Sequence, residues 1–202
     1  PVARRHGAGA GAVTPRPVRA TTRSVDATRE LAAALAGLAR PRDLLLLVGD
    51  LGAGKTAFAQ GFGRGLGVEE PITSPTFALV QGYSGRLPLH HLDVYRLEQV
   101  TEAADLGLSE LLDDGSVTLI EWGDTITTAL PRDYLEVRIT FGDGPDDRHF
   151  ELTAVGPGWQ DRVAAIEEVV ARTVERLEGG DTEADAEAEA EAEAGGAGGA
   201  PC

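Results

Sequence analysis

The chain has 202 residues, a formal net charge of −15 and a single cysteine. Eight acidic residues and no basic residue lie between Glu178 and Cys202, and the rest of the chain is also acidic. Strong direct binding to RNA or DNA requires clustered lysines and arginines, which this sequence lacks. One cysteine cannot form a disulfide within the chain, and no stretch approaches the ~20 apolar residues of a membrane span. We therefore expect a cytoplasmic protein that neither enters a membrane nor binds nucleic acid strongly by itself.

Composition divides the chain into three parts. Residues 1–17 are rich in glycine, alanine, proline and arginine without periodicity, and residues 178–202 alternate glutamate and alanine without compensating charge. We predict disorder in both segments, because neither can bury an apolar face. Residues 18–177 are long enough to bury about two-thirds of their unfolded surface, and we predict that they form one domain.

The apolar pattern predicts the order of helices and strands. Residues 18–24 predict an edge strand, and leucines at helical spacing then predict a helix with Asp26 as its N-cap and Pro41 as its stop. Residues 43–49 form a short apolar run without polar alternation, which predicts a strand buried on both faces. Later patterns predict a hairpin from 77–83 and 87–95, a helix near 98–112, strands at 117–122, 134–141 and 148–155, and a closing helix over 159–177. Together they predict an α/β fold with a mixed parallel and antiparallel central sheet and flanking helices.

A glycine-rich segment follows the first buried strand. It reads GDLGAGKT and matches the phosphate-loop (P-loop) motif GxxxxGK[ST], with a strand before it and a helical pattern after it. Glycines let such a loop curl with its N–H groups pointing inward. The lysine then contacts the β- and γ-phosphates, and the threonine hydroxyl binds magnesium. The alternative is a glycine-rich turn that matches by chance. We predict that ATP phosphates bind to Gly49, Asp50, Leu51, Gly52, Ala53, Gly54, Lys55 and Thr56.

The lysine of this motif is unusual in its own sequence. Lys55 is the only lysine among 18 basic residues, and all the others are arginine. A compact ammonium group fits a phosphate cradle, whereas a planar guanidinium is bulkier and has a different shape. This pattern indicates a chemical requirement for lysine at this position.

Two acidic residues follow apolar strands. Glu121 comes after residues 117–120, and Asp93 comes after residues 89–92. In an open α/β sheet, ligands bind beyond the carboxyl ends of the strands, so both side chains can reach the loop. We predict that Thr56, Glu121 and Asp93 bind Mg²⁺, and that Lys55, Asp93 and Glu121 are catalytic. The alternative for each acid is a solvated carboxylate at a strand end.

Residues 73–77 (TSPTF) connect the loop's helix to the next strand. The hydroxyl groups of Ser74 and Thr76 could contact the γ-phosphate or the attacking water, and an ordinary connecting loop is the alternative. We add both residues to the predicted nucleotide site. His90 and His91 point to opposite faces of one strand, so we expect packing or hydrogen bonding and no zinc site.

Four motifs in sequence resemble one known family. GDLGAGKT (49–56), TSPTF (73–77), HLDVYR (91–96) and IEWGD (120–124) are similar to the TsaE family, also called YjeE, over roughly residues 26–159. The resemblance implies a compact single-domain P-loop NTPase fold and an ATPase needed to make threonylcarbamoyladenosine in tRNA. It implies that the TsaD and TsaB proteins are partners, and that ATP hydrolysis resets the TsaD–TsaB complex, which transfers the threonylcarbamoyl group. Of the motif residues, Trp122 and Arg96 have less certain roles, and from its position alone we expect Trp122 in the core or an interface.

The sequence therefore predicts a magnesium-dependent ATPase in which water attacks the γ-phosphate in line. No arginine is marked by its position as an arginine finger, so we expect slow turnover unless a partner completes the site. Two alternatives remain open: a P-loop kinase acting on a small molecule, and a nucleotide-dependent binding module with incidental hydrolysis. A kinase would need an acceptor pocket and an arginine-bearing lid, and no insertion in this sequence is an obvious lid.

Overall fold

A computed structural model of the chain describes residues 16–75, 79–95, 108–122, 127–128 and 130–195. The described strands are β1 (Val18–Thr22), β2 (Leu44–Val48), β3 (Val80–Tyr83), β4 (Leu89–Asp93), β5 (Val117–Glu121), β6 (Tyr134–Phe141) and β7 (Arg148–Val155). The described helices are α1 (Val25–Ala36), α2 (Lys55–Gly65), α3 (Leu108–Asp113), α4 (Pro157–Gln160) and α5 (Val163–Gly195). The predicted strands are confirmed, and only residues 77 and 78 of the predicted hairpin lie outside the described residues.

The strands form one mixed sheet in the order β1-β7-β6-β2-β5-β4-β3. The four central strands run parallel to one another, in the order β6, β2, β5 and β4. Antiparallel pairs extend the sheet at both sides, β6–β7–β1 on one and β4–β3 on the other. The predicted α/β fold with a mixed sheet is thereby confirmed.

The second strand is buried on both faces, as predicted. Leu45 and Leu47 belong to a core that α1, α2 and α5 cover, and Leu44 and Leu46 belong to a second core on the opposite face. Because successive side chains of a strand point to opposite faces, an all-leucine strand suits a position with apolar neighbours on both sides. Both cores therefore hold β2 at the centre of the sheet.

The ends of α1 differ from the prediction. Ser24, not Asp26, is the N-cap, and its hydroxyl accepts a hydrogen bond from Ala27 N at 3.0 Å. Asp26 lies in the first turn and pairs with Arg29 at 2.7 Å, where a negative charge also favours the helix N-terminus. The helix ends at Ala36 with Gly37 as its C-cap, before Pro41 is reached. Local capping therefore sets both ends of this helix.

The predicted closing helix over 159–177 is two helices in the structure. Asp133 caps the short α4 through the N–H groups of Gly158 and Trp159. Arg162, which precedes α5, donates two hydrogen bonds to the buried carboxylate of Asp43 at 2.6 and 2.7 Å, next to the start of β2. Arg162 thus lies between the two helices, at a point where the sequence pattern continues without a break.

Helix α5 is described as far as Gly195 and so extends beyond residue 177, where we predicted the domain to end. Residues 1–15 and 196–202 lie outside the described residues, and the disorder predicted for the two terminal segments stays a prediction. Of the predicted helix near 98–112, residues 98–107 lie outside the described part of the chain, and the described part is α3.

Candidate functional site

The carboxyl ends of three parallel strands meet at one edge of the sheet. Asp93 at the end of β4 is the register partner of Glu121 at the end of β5, and Glu121 is in turn level with Leu47 of β2. The loop that follows β2 starts at Gly49 and leads into α2. The topology thus brings the glycine-rich loop and both predicted carboxylates to the same place.

The shape of the loop requires glycine at its two ends. A Cβ atom on Gly49 would lie 2.3 Å from the carbonyl oxygen of Ile139, so no larger residue fits there. Gly54, the N-cap of α2, has φ 108°, a left-handed conformation that side chains resist. Among the described residues no side chain caps α2, so its first N–H groups are oriented as a helix N-terminus that suits an anion.

Lys55 is the first residue of α2 and its side chain folds back over the loop. The Nζ atom donates hydrogen bonds to the carbonyl oxygens of Gly49 at 2.8 Å and Asp50 at 2.9 Å. It also lies 3.6 Å from the ring centroid of Trp122. These contacts keep a largely buried positive charge beside the loop.

Trp122 packs against the second core, as expected, and its ring also forms one wall of the cavity beside Lys55. The residue has φ 63°, which is strained for a bulky side chain and places the ring across the end of β5. The ring of Tyr95 lies against it with a centroid distance of 4.9 Å.

The two carboxylates are buried and hydrogen-bonded, which rules out solvated strand-end acids. The Thr56 hydroxyl donates to Glu121 Oε1 at 3.0 Å, and Glu121 is only 3% exposed. The Ser74 hydroxyl donates to Asp93 Oδ2 at 3.3 Å, and the backbone N–H of Tyr95 donates to Asp93 Oδ1 at 3.0 Å. The structure therefore joins the Thr56 hydroxyl to Glu121 and the Ser74 hydroxyl to Asp93, while Thr76 and Arg96 lie outside the described residues.

These groups surround a cavity of about 380 Å³. Its lining residues come from the loop, α2 and the strand ends: Leu51, Gly52, Gly54, Lys55, Thr56, Ala57, Ser74, Asp93, Tyr95, Glu121 and Trp122. A larger opening of about 470 Å³ lies between β1 and α5, but no glycine-rich loop or strand-end carboxylate lines it. The smaller cavity is therefore the candidate site.

The oxygen atoms around this cavity suit magnesium better than a metal whose ligands must all come from protein side chains. Thr56, Glu121, Asp93 and Ser74 offer hydroxyl and carboxylate oxygens, the ligands that Mg²⁺ prefers. In the described part of the chain no three His, Cys, Asp or Glu side chains cluster as a metal site. Magnesium commonly binds through one or two carboxylates together with phosphate oxygens, so this donor set fits the ion.

The predicted roles of the two histidines in hydrogen bonding are confirmed. His90 Nε2 lies 2.6 Å from Asp114 Oδ2, near the surface. His91 Nε2 lies 3.0 Å from Glu121 Oε1, in the protein interior. The two histidine side chains thus lie on opposite faces of the sheet, and that of His91 contacts the candidate site.

Comparison with known proteins identifies the family. The family model for the threonylcarbamoyl adenosine biosynthesis protein TsaE matches residues 22–150, a range that contains every predicted site residue. The chain belongs to the TsaE family. It is 45% identical to the Bacillus subtilis tRNA threonylcarbamoyladenosine biosynthesis protein TsaE over 130 residues, covering 64% of this chain and 80% of that protein. It is 43% identical to the Streptomyces coelicolor protein of the same name over 138 residues, covering 65% and 93%.

A solved structure agrees with this assignment. The crystal structure of Bacillus subtilis YdiB superimposes with a TM-score of 0.67 and 35% sequence identity, covering 76% of this chain and 96% of that one. The TsaE family takes part in tRNA threonylcarbamoyladenosine biosynthesis, so this chain is a member of that system. None of the helices that the structure describes has both the length and the apolar character to cross a membrane.

In this TsaE-family chain, sequence reasoning missed one residue that contacts the loop. Arg148, the first residue of β7, donates from Nε to the carbonyl oxygen of Ala53 at 3.0 Å and from Nη2 to that of Gly52 at 3.5 Å. Its guanidinium also lies 4.9 Å from the ring centroid of Phe141. Arg148 is 95 positions away from Ala53, and no motif marks it.

The contact fixes the direction of a loop amide. In a trans peptide unit the carbonyl and the following N–H point in opposite directions. Because Arg148 binds the carbonyl of Ala53, the N–H of Gly54 must point away from the guanidinium. Arg148 therefore acts on the outer side of the loop and is not placed as an arginine finger.

Arg148→Gln is expected to loosen the loop, because its carbonyl groups lose a charged donor. Loss of about 1.4 kcal/mol of local stabilisation corresponds to roughly tenfold faster amide hydrogen exchange at residues 50–54, measured by mass spectrometry. Arg138→Gln on the neighbouring strand removes an exposed pair with Glu136 and serves as the control. Unchanged exchange in a folded Arg148→Gln protein would contradict this role.

Proposed function

We propose that this TsaE-family protein is a magnesium-dependent ATPase that supports threonylcarbamoyladenosine modification of tRNA by acting on a complex of TsaD and TsaB. The observation that carries the ATPase proposal is the convergence of the loop, Lys55, Asp93 and Glu121 on one cavity. A glycine-rich loop before a helix is a built anion site, and buried carboxylates beside it are what a metal-bound triphosphate needs. A cytoplasmic location suits a chain with a single cysteine.

Different residues of the cavity would bind the phosphates and the magnesium ion. The inward N–H groups of the loop and of the first turn of α2 would hold the β- and γ-phosphates. Lys55 would exchange its contacts with the loop carbonyls for phosphate oxygens, since its side chain lies beside the loop and the residue lines the cavity. Thr56, Glu121 and Asp93 would hold Mg²⁺ together with phosphate oxygens, and the ion would neutralise negative charge that develops during phosphoryl transfer.

The proposed reaction is hydrolysis by in-line attack. A water oxygen forms a bond to the γ-phosphorus, and the bond from that phosphorus to the β–γ bridging oxygen breaks, which gives ADP and inorganic phosphate. Asp93 and Glu121 orient the water through their carboxylate oxygens, and Lys55 stabilises the charge on the departing oxygens. The absence of an arginine finger among the described loop contacts favours slow turnover by the isolated chain.

An apolar rim around the cavity supports the proposal of protein partners. Large hydrophobic side chains are exposed at four described positions, and three of them lie at this rim: Leu51 at 83%, Tyr95 at 60% and Phe141 at 49%. Leu51 and Tyr95 line the cavity, and Phe141 lies beside Gly52. Clustered exposed apolar side chains mark interaction surfaces, and the net charge of −15 disfavours direct contact with tRNA. The complex of TsaD and TsaB is therefore proposed to dock over the nucleotide site.

Lys55→Ala is expected to raise the dissociation constant of magnesium-ATP by roughly 100-fold, because a charge-assisted contact with two phosphates is lost. Isothermal titration calorimetry measures this change. Arg64→Ala, an exposed basic residue in the last turn of the same helix, should bind like wild type. Wild-type affinity in Lys55→Ala would refute the phosphate assignment.

Glu121→Gln is expected to reduce phosphate release by at least about 100-fold at saturating ATP and Mg²⁺, because the carboxylate acts on water and metal. Phosphate release is measured with no added acceptor, which also separates an ATPase from a small-molecule kinase. Glu69→Gln, an exposed glutamate, is the control. If threonylcarbamoylation in the reconstituted system survives without hydrolysis, the protein is a nucleotide-dependent binding module instead.

Leu51→Ser is expected to weaken capture of a purified TsaD–TsaB complex about tenfold, because an exposed apolar anchor is removed. Capture is measured with and without ATP, and tRNA alone serves as a separate bait. Val25→Ser removes the fourth exposed hydrophobic side chain, at the start of α1, and should leave capture unchanged. Equal loss in both variants would argue against docking at the rim.

A further inference from the structure

His91 lies directly behind the candidate metal site. It is fully buried on β4, two residues before Asp93. Its Nε2 atom is 3.0 Å from Glu121 Oε1, and the side chain of Glu121 is only 4% exposed. An imidazole and a carboxylate thus meet across two neighbouring parallel strands, out of contact with solvent.

The surroundings of the ring decide which nitrogen carries the proton. His91 Nδ1 is buried and has no hydrogen-bond partner among the residues that the structure describes. A proton on Nδ1 would therefore be a buried donor without an acceptor, which is costly. A proton on Nε2 instead has the Glu121 carboxylate as its acceptor. The arrangement assigns a ring that donates from Nε2 to Glu121.

Two donors converge on one oxygen of Glu121. The His91 ring and the Thr56 hydroxyl both lie 3.0 Å from Oε1. Two donors from different elements, β4 and α2, fix the rotation of a carboxylate more firmly than one. The hydrogen bonds from these two donors both end on Oε1, so they leave Oε2 available for the metal side of the carboxylate.

We propose that His91 is a positioning residue that sets the orientation of Glu121 toward the magnesium-nucleotide complex. The proposal rests on the proposed function, since it concerns the metal-facing role of Glu121. Side chains that donate a hydrogen bond to a metal-binding carboxylate orient it, and their loss commonly lowers metal affinity about 10- to 100-fold. His91 itself does not touch the nucleotide or the ion.

The adjacent histidine is a matched control. His90 lies on the opposite face of β4, and its Nε2 pairs with Asp114, which is 45% exposed. The side-chain hydrogen bond from His90 lowers the pKa of Asp114 to about 2. His90 therefore has the same residue type and a similar carboxylate contact, at a site without a phosphate loop.

The test uses the amide side chains as mimics of single ring nitrogens. The amide nitrogen of glutamine reaches about as far as Nε2, whereas that of asparagine reaches about as far as Nδ1. ADP binding to the full chain is measured by calorimetry in EDTA and across a Mg²⁺ titration. His91→Asn is expected to raise the Mg²⁺ concentration that gives half-maximal enhancement about 10- to 100-fold. His91→Gln should restore it to within about threefold, and His90→Gln should match wild type.

The outcomes separate this proposal from the proposed function. In EDTA all variants should bind ADP alike, because His91 acts only through Glu121. If wild type shows magnesium-enhanced ADP binding and folded His91→Asn shows the same dependence, the role of His91 is overturned while the ATPase proposal stands. If wild type itself shows no magnesium-enhanced ADP binding, the proposed function fails and this inference fails with it.

A measurement on wild type covers the case in which His91→Asn does not fold. Nitrogen-15 NMR of the histidine rings reports the tautomer, and we expect His91 to be protonated at Nε2 and to shift on Glu121→Gln substitution. Protonation at Nδ1 would overturn the proposal without any substitution of His91.

Discussion

The candidate site depends on the fixed position of one strand end. β2 is hydrogen-bonded to β5 on one side and to β6 on the other, and all five of its residues are buried. A strand held at both edges and on both faces cannot slide or tilt without disturbing two cores. The loop that begins at Gly49 therefore starts from a rigid point, and Lys55, Glu121 and Asp93 are all placed relative to it.

The loop is held in shape from several sides. Glycine allows the curl, Lys55 ties two loop carbonyls from the inside, and Arg148 ties two others from the outside. Because Arg148 holds the carbonyl of Ala53 on the outer side, the N–H group of Gly54 points away from the guanidinium. Preorganised amides need no rearrangement when an anion arrives, which is the physical advantage of a phosphate loop over a flexible one.

The acids of the site are buried, hydrogen-bonded and close to the loop. Burial of a carboxylate is costly unless hydrogen bonds satisfy its oxygens, and Thr56, Ser74 and His91 supply such bonds to Glu121 and Asp93. The same bonds hold the carboxylates at the cavity wall. Buried, hydrogen-bonded carboxylates beside an anion cradle suit the proposed binding of magnesium with ATP.

Charge and surface explain how an acidic chain can serve a tRNA-modification system. With a net charge of −15 the protein is poorly suited to hold tRNA, and the TsaE family to which it belongs takes part in tRNA threonylcarbamoyladenosine biosynthesis. In the proposed function, protein partners carry the tRNA and meet this chain at its apolar rim. Nucleotide and partner would then share one edge of the sheet, so that each could influence the binding of the other.

The sequence by itself determined the elements whose signals are local: the buried strand before the glycine-rich loop, the loop with its only lysine, and the acids that end β4 and β5. Tertiary structure alone decided the contacts between distant residues, including Arg148 on the loop, His91 on Glu121 and the Arg162–Asp43 pair between the two closing helices. It also decided the left-handed backbone of Trp122 and its ring beside Lys55. The physical reason is that periodicity and motif spacing report on neighbours along the chain, whereas these contacts arise only when packing brings separate strands and helices within hydrogen-bonding distance.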